Sequence, residues 1–119
     1  MRRVGSLIVL AFCIFPGVSM SDCREVGFVA IFEIKSGNEE QFEDGALHLA
    51  SAVNQLEPGV IYYAPYRGPD GRYYFMERYK DLDARNAHAT HPSIPQIFES
   101  IAPLLAAPPV VEPVELLCD

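Results

Sequence analysis

Residues 60–79 read VIYYAPYRGPDGRYYFMERY, two aromatic runs separated by a short segment rich in glycine and proline. The runs at 60–66 and 72–79 are dense in the aromatic and β-branched residues that strands favour. The five residues between them, RGPDG, have a length and composition typical of a hairpin connection. We therefore predict a β-hairpin over this stretch.

One strand and one helix are predicted before the hairpin. Residues 26–34 (VGFVAIFEI) have the composition of a well-buried strand. Asn38 followed by Gln41 resembles a capping box, and apolar residues then recur at spacings of four and three through residues 39–55, which predicts a helix. The Pro-Gly pair at 58–59 ends that helix, because proline cannot continue it.

Two helical segments and a final strand are predicted after the hairpin. Residues 81–90 predict a short helix with Asp81 as its cap. Residues 93–105 predict a second helical segment, which an internal proline should end or kink. Residues 110–117 (VVEPVELL) predict the last strand, and Pro113 places it at a sheet edge or at a bulge.

The element order is therefore β, α, β, β, α, β, which is the order of the ferredoxin-like α+β fold with a four-stranded antiparallel sheet. Both helices of that fold lie on one face of the sheet. In the first strand, Phe28, Ala30 and Phe32 alternate with Val29 and Ile31, so both sheet faces are apolar. A second copy packed sheet against sheet would cover the other face, and we expect a homodimer.

The amino terminus has a composition different from that of the predicted domain at 22–119. Residues 1–21 combine a basic start, an apolar run, a Pro-Gly break and small residues before Asp22, the order of a secretory signal peptide. The apolar run is shorter than the about 20 residues that span a bilayer, which disfavours a stable membrane anchor. We expect an exported protein, periplasmic or secreted. The alternative is a cytoplasmic protein whose translation starts at Met20.

Charge and ligand counts exclude several classes of function. The formal net charge is −7, with sixteen acidic against nine basic residues, and loss of Arg2 and Arg3 with the signal peptide would make it more negative. An acidic domain of this kind is unsuited to holding a phosphate backbone, so we expect no nucleic-acid partner. Three cysteines and three histidines without zinc-site spacing predict no metal site.

Two cysteines belong to the predicted mature domain. Cys23 precedes the first strand and Cys118 follows the last one, and these strands are antiparallel neighbours in the predicted fold. An oxidising compartment would permit the pairing, and we predict a disulfide between the two residues that closes almost the whole mature chain. The other interpretation is a pair of free thiols, because cysteine spacing alone determines no pairing.

The segment 57–63 (EPGVIYY), placed between a helix and an aromatic hairpin, resembles the antibiotic biosynthesis monooxygenase family, a branch of the dimeric α/β barrels. Residues 35–42 are similar to the family's opening motif of Lys, Gly, Glu and Phe. Residues 77–81 (ERYKD) are similar to its strand end, and Ala87-His88 to its second helix. The resemblance covers about residues 26–117.

This resemblance implies a homodimer with a small pocket in each subunit between the sheet and its helices. Active members of the family oxygenate phenolic, quinol or polyketide-like aromatics, or degrade haem, without a bound flavin or dedicated metal. The deprotonated substrate itself gives electrons to oxygen, so no cofactor is implied. The expected function is a monooxygenase acting on a small aromatic, phenolic or quinol substrate. The alternative is a non-catalytic module that binds a small hydrophobic ligand.

His88 and Tyr79 are the candidate catalytic residues. His88 matches a family position on the second helix, and histidine can accept a phenol proton near neutral pH. Tyr79 stands where several oxygenases of the family carry Trp. A structural histidine is the alternative interpretation of His88. His91 would share a metal with His88 only if a third ligand existed, and none is evident.

Substrate contacts are predicted from the tyrosines and from one amide. All six tyrosines lie on the predicted hairpin, where alternation sends them to both sheet faces. We take Tyr62 and Tyr74, with Asn54 near the end of the first helix, as candidate substrate-binding residues. The alternatives are a dimer interface for the tyrosines and a helix cap for Asn54.

Glu77 lies within an aromatic strand and would need a partner if it were buried. Alternation points Arg78 to the opposite face, so the partner is expected among Arg67, Arg72 and Arg85. We predict a structural ion pair.

Overall fold

The structure is a computed structural model that describes residues 23–118, so the predicted signal peptide at 1–21 lies outside the described residues. Four strands form one antiparallel sheet in the order β2-β3-β1-β4. The predicted ferredoxin-like α+β fold is confirmed, with three helices. In chain order the elements are β1 (Val26–Phe32), α1 (Glu39–Leu56), β2 (Val60–Arg67), β3 (Tyr73–Tyr79), α2 (Leu82–Ala89), α3 (Ile94–Ile101) and β4 (Val110–Glu115).

The hydrophobic core lies between one sheet face and the helices. The ring of Phe32 in β1 lies 5.2 Å from that of Phe75 in β3 and 5.7 Å from that of Phe42 in α1, measured between centroids. A Cβ atom at Gly45 would lie 2.2 Å from Cγ2 of Ile101, so the missing side chain allows α1 and α3 to approach. Burial of these aromatic rings from water is the main force that holds the helices on the sheet.

Two predicted helix boundaries can be checked against the hydrogen bonds. Asp81 caps α2 as predicted, because its carboxylate accepts a hydrogen bond from the Ala84 backbone N–H at 2.8 Å. The predicted capping box of α1 is wrong. Asn38 turns its amide back and donates to the carbonyls of Lys35 and Ser36, so its side chain makes no bond to the first turn of the helix.

The second predicted helical segment is interrupted at its internal proline, as predicted. It divides into α3 and a single 3₁₀ turn at Ala102–Leu104 that contains Pro103. Pro103 accounts for this division of the helical segment, since proline lacks the N–H that an α-helix requires.

The first strand is shorter than predicted. It ends at Phe32, and Ile34 forms only an isolated bridge with Leu105.

The last strand occupies the sheet edge that Pro113 predicted, and it pairs only with β1. Cys23 and Cys118 form a disulfide with Cα atoms 6.1 Å apart, which confirms the pairing expected at these neighbouring strand ends. The bond joins positions separated by 95 residues. It therefore ties the edge strand β4 to the beginning of the domain.

The sheet face opposite the helices is apolar and accessible in the single chain. Five of its large side chains are 37% to 53% exposed: Tyr62, Tyr66, Met76, Val110 and Val114. We call these five residues the open face. An accessible apolar surface of this kind is what the homodimer prediction requires. Among residues 23–118, no helix is long and apolar enough to cross a membrane.

Candidate functional site

A cavity of about 380 Å³ lies between the helix-facing side of the sheet and helices α2 and α3. Most of its lining is apolar, with Phe32 from β1 and Phe98 from α3 among the walls. Its charged or titratable lining residues, apart from Tyr63, are Glu77, Arg85 and His88. An apolar cavity with a few convergent polar groups is the usual form of a site for a small molecule.

His88 is held by a carboxylate at one wall of this cavity. Its Nδ1 lies 2.9 Å from Oε2 and 3.0 Å from Oε1 of Glu57, and the two side chains are only 13% and 7% exposed. A carboxylate at Nδ1 favours the tautomer that carries its proton there and leaves a lone pair on Nε2. This is the arrangement of a general base oriented by an acidic residue.

The turn after α1 explains how these two residues meet. Glu57 is the C-cap of α1, and Pro58 and Gly59 follow it. A Cβ atom at Gly59 would lie 2.5 Å from Cβ of Ala84, so glycine is required for α2 to pack against this turn. The same approach brings His88, one turn further along α2, to the Glu57 carboxylate.

Glu77 and Tyr79 form a second polar pair beside the histidine. Both are buried, and the Tyr79 hydroxyl donates to Oε2 of Glu77 at 2.7 Å. Burial raises the pKa of the Glu77 carboxyl, an effect that the Tyr79 hydrogen bond partly offsets. Burial, together with the neighbouring Glu77 carboxylate, raises the pKa of the Tyr79 phenol, which therefore stays protonated.

The ion pair predicted for Glu77 is not formed within residues 23–118. Arg67 pairs instead with Glu43 and Arg72 with Asp70. Tyr79 takes the role of donor because residues two apart on a strand share a face, which lets its hydroxyl reach back to Glu77.

Arg85 extends from α2 over two aromatic rings. Its guanidinium carbon lies 4.7 Å from the ring centroid of Phe28 and 5.9 Å from that of Tyr79. Its Nε atom is buried and has no hydrogen-bond partner among the described residues. The guanidinium is thus held by cation–π contacts while hydrogen-bonding capacity remains unused.

Two tyrosine rings flank the imidazole. The ring centroids of Tyr63 and Tyr79 lie 5.4 Å and 5.5 Å from that of His88. Burial is the main cause that raises the pKa of the Tyr63 phenol, which keeps it neutral. His88 is therefore surrounded by rings on one side and bonded to a carboxylate on the other.

None of the three predicted substrate-binding residues, Tyr62, Tyr74 and Asn54, is among the residues that line the cavity. Tyr62 belongs to the open face and hydrogen-bonds the Tyr66 hydroxyl, while Tyr74, on the same sheet face, donates to Asp70 at 2.7 Å. Asn54 donates from Nδ2 to the carbonyls of Ala50 and Tyr63 at 2.7 Å and 2.8 Å, and so ties α1 to β2.

Sequence reasoning missed Glu57, and it did not assign Tyr63 or Arg85 to the site. Strand alternation could have identified Tyr63, since it lies opposite Glu77 across the β2–β3 ladder. Helical spacing could have identified Arg85, three residues before His88. Glu57 begins the segment EPGVIYY on which the family resemblance rests, but its position after a helix suggested only a turn. Residues 23–118 contain no group of three or more His, Cys, Asp or Glu that could hold a metal ion.

The fold and cavity define a class: a ferredoxin-like α+β domain with a largely apolar cavity between its sheet and helices. The family model described as antibiotic biosynthesis monooxygenase matches residues 26–100, and the chain belongs to this family. Among curated proteins, none matches the chain.

Solved structures agree with this classification. A Caulobacter crescentus protein assigned to the antibiotic biosynthesis monooxygenases is 27% identical with a TM-score of 0.74, covering 78% of this chain and 90% of that chain. A Shewanella oneidensis protein is 25% identical with a TM-score of 0.70, over 80% and 93%. A Nitrosomonas europaea protein, 17% identical with a TM-score of 0.74 over 81% and 93%, shows likeness of fold alone.

Proposed function

We propose that the protein is a monooxygenase that acts, without a bound cofactor, on a small aromatic, phenolic or quinol substrate in the cavity between the sheet and helices α2 and α3. The observation that carries this proposal is the His88–Glu57 pair, which is buried at the wall of an otherwise largely apolar cavity. Family membership supports the same class of reaction.

The reaction begins with removal of a phenolic proton. Nε2 of His88 accepts this proton. Glu57 stabilises the resulting imidazolium through its hydrogen bond with Nδ1. The resulting phenolate is electron-rich and gives its electrons to molecular oxygen. Overall the substrate gains one oxygen atom and loses two hydrogen atoms, which leave with the second oxygen atom as water. The substrate supplies all the electrons.

The remaining cavity residues suit an aromatic ligand. The rings of Phe32, Tyr63 and Phe98, which line the cavity, offer stacking or edge contacts to a planar substrate. Glu77 adds a polar group to the cavity lining, and burial raises the pKa of its carboxyl. The proposed catalytic role of Tyr79 is to position this carboxyl through its 2.7 Å hydrogen bond.

Assembly and location belong to the same proposal. The open face would become the interface of a homodimer, the usual state of this family. The disulfide between Cys23 and Cys118 supports export to an oxidising compartment. Tyr62 and Tyr74, which lie on the sheet face opposite the cavity, would then contact the partner subunit.

Oxygen consumption by the purified protein tests the activity. A panel of phenols and quinols is supplied in air-saturated buffer, and the products are analysed after reaction under ¹⁸O₂. We expect uptake equimolar with substrate consumed, with one labelled atom in the product and the other in water. A panel that binds but produces no uptake would overturn the monooxygenase and favour a module that binds a small hydrophobic ligand.

A further inference from the structure

The cavity contains a cation with unused hydrogen-bond donors. Among the residues that line the cavity, Arg85 is the one arginine, and there is no lysine. The described residues offer no hydrogen-bond acceptor to its buried Nε. A guanidinium has five N–H donors, and burying one without an acceptor is unfavourable. Arg85 also forms no salt bridge among the described residues, so its guanidinium is available to an anionic ligand in the cavity that it lines.

The nearby carboxylates are engaged with other groups. Glu57 is bonded to His88, and Glu77 accepts from the Tyr79 hydroxyl. Neither forms a salt bridge with Arg85 among the described residues, although Glu77 lines the same cavity. The contacts that hold Arg85 are with the rings of Phe28 and Tyr79, and these contacts supply no hydrogen-bond acceptor to its Nε.

Arg85 and His88 are spaced to contact two ends of one small molecule. They are three residues apart in α2, so they lie on the same helix face, and both line the cavity. A ligand can therefore contact the guanidinium with one group and the imidazole with another. Planar carboxylates match the arginine fork, which can bind both oxygens at once.

We propose that the ligand of this cavity is an aromatic carboxylate, with its anionic group bound by Arg85 and its phenolic hydroxyl directed to Nε2 of His88. This inference rests on the proposed function for the role of the hydroxyl, but the anion site itself requires only binding. It narrows the substrate from any small phenol to one that carries a carboxylate. Because the formal net charge of the chain is −7, its preference for a ligand with a carboxylate would come from one local cation, Arg85.

Calorimetry with two matched probes tests the anion site. The probes are 4-hydroxybenzoate and its methyl ester, which share the phenol and differ in charge. We expect the acid to bind the full mature protein at least about tenfold more tightly than the ester, the effect of charged hydrogen bonds to a carboxylate. Arg85→Met should abolish this preference, and Arg85→Lys should keep part of it. Arg72→Met removes an exposed arginine of the hairpin turn and should change nothing.

Equal affinity for the two probes, absence of binding by the acid, or an unchanged preference in Arg85→Met would each overturn the anion site. The comparison of acid with ester in the unsubstituted protein decides the matter even if Arg85→Met does not fold. The two proposals fail separately. Acid preference without oxygen uptake would overturn only the monooxygenase, and uptake with neutral quinols without acid preference would overturn only the anion site.

Discussion

Nδ1 of His88 lies 2.9 Å from Oε2 of Glu57, although 31 positions separate the two residues in the chain. The imidazole belongs to α2 and the carboxylate to the turn that ends α1. Their contact therefore depends on how these two elements pack around Gly59. Because both side chains are largely buried, the pair is a fixed feature of the cavity wall rather than a surface contact.

Glu57→Ala should reduce turnover while leaving the fold intact. Without the carboxylate, the tautomer and orientation of His88 are no longer imposed, and we expect a loss of about 10- to 100-fold in kcat with a smaller change in KM. Nitrogen NMR of the His88 ring gives an independent measure, since the proton should leave its fixed position on Nδ1. Glu99→Ala, an exposed residue of α3, is the control. Equal turnover and an unchanged tautomer in Glu57→Ala would contradict the positioning role.

His88→Ala should remove the general base. We expect oxygen consumption to fall by about 100-fold or more, because proton transfer by a positioned side chain contributes on that scale. Thermal unfolding and light scattering should show that the fold and assembly are retained. His48→Ala, at an exposed position of α1, should keep full activity. A His88→Ala variant with normal rates would exclude His88 from the mechanism.

Glu77 should make stability depend on pH. Burial raises its pKa in the folded protein above the value of 4.5 expected in the unfolded chain. Its contribution to stability is therefore fully present below pH 4.5 and is lost as pH rises through the folded pKa. Glu77→Gln keeps an acceptor for Tyr79 and removes the titration. Urea unfolding at pH 4.5 and pH 7 should show the variant gaining stability relative to the parent at the higher pH. If the free energy of unfolding of the variant differed from that of the parent by the same amount at both pH values, Glu77 would not be the source of the pH dependence.

The disulfide should contribute strongly to stability. It closes a loop across 95 positions, and cross-links of this length stabilise by about 4.7 kcal/mol in the chain-entropy description. Replacing Cys23 and Cys118 together by alanine should lower the free energy of unfolding by about this amount. Adding a reductant to the parent should have the same effect, with the alanine variant as the control that does not respond. Ligand affinity should also fall, because Val111 of β4 lines the cavity.

The open face should decide the oligomeric state. Met76 is 44% exposed on β3, and a glutamate there would have to be buried without a partner in a sheet-to-sheet dimer. Light scattering should give twice the subunit mass for the parent and the single subunit mass for Met76→Glu. Leu82→Glu, 58% exposed at the start of α2, should remain dimeric. A parent protein with the mass of one subunit would refute the dimer.

The sequence predicted the strands of the hairpin but not which of its tyrosines line the cavity. Its strands, its turn and its place in the fold followed from local composition, and both strands end within one residue of the predicted positions. Which tyrosines belong to the cavity did not follow. Alternation divides them between two faces, but a single strand carries no mark of the face that receives the helices. The tertiary structure shows that Tyr63 lines the cavity and that Tyr62 lies on the open face.

The sequence alone determined the order of elements and placed Cys23 and Cys118 at neighbouring strand ends, because both follow from local preferences of the chain and from the topology that the order imposes. It left open whether the two cysteines pair and whether Pro113 marks a sheet edge or a bulge. The tertiary structure decided the pairing of His88 with Glu57, the donation of Tyr79 to Glu77 and the unused donors of Arg85. These features depend on the packing distance of α2 against the sheet and against the turn at Gly59. That distance results from side chains distributed over the whole core, so no local pattern could reveal it.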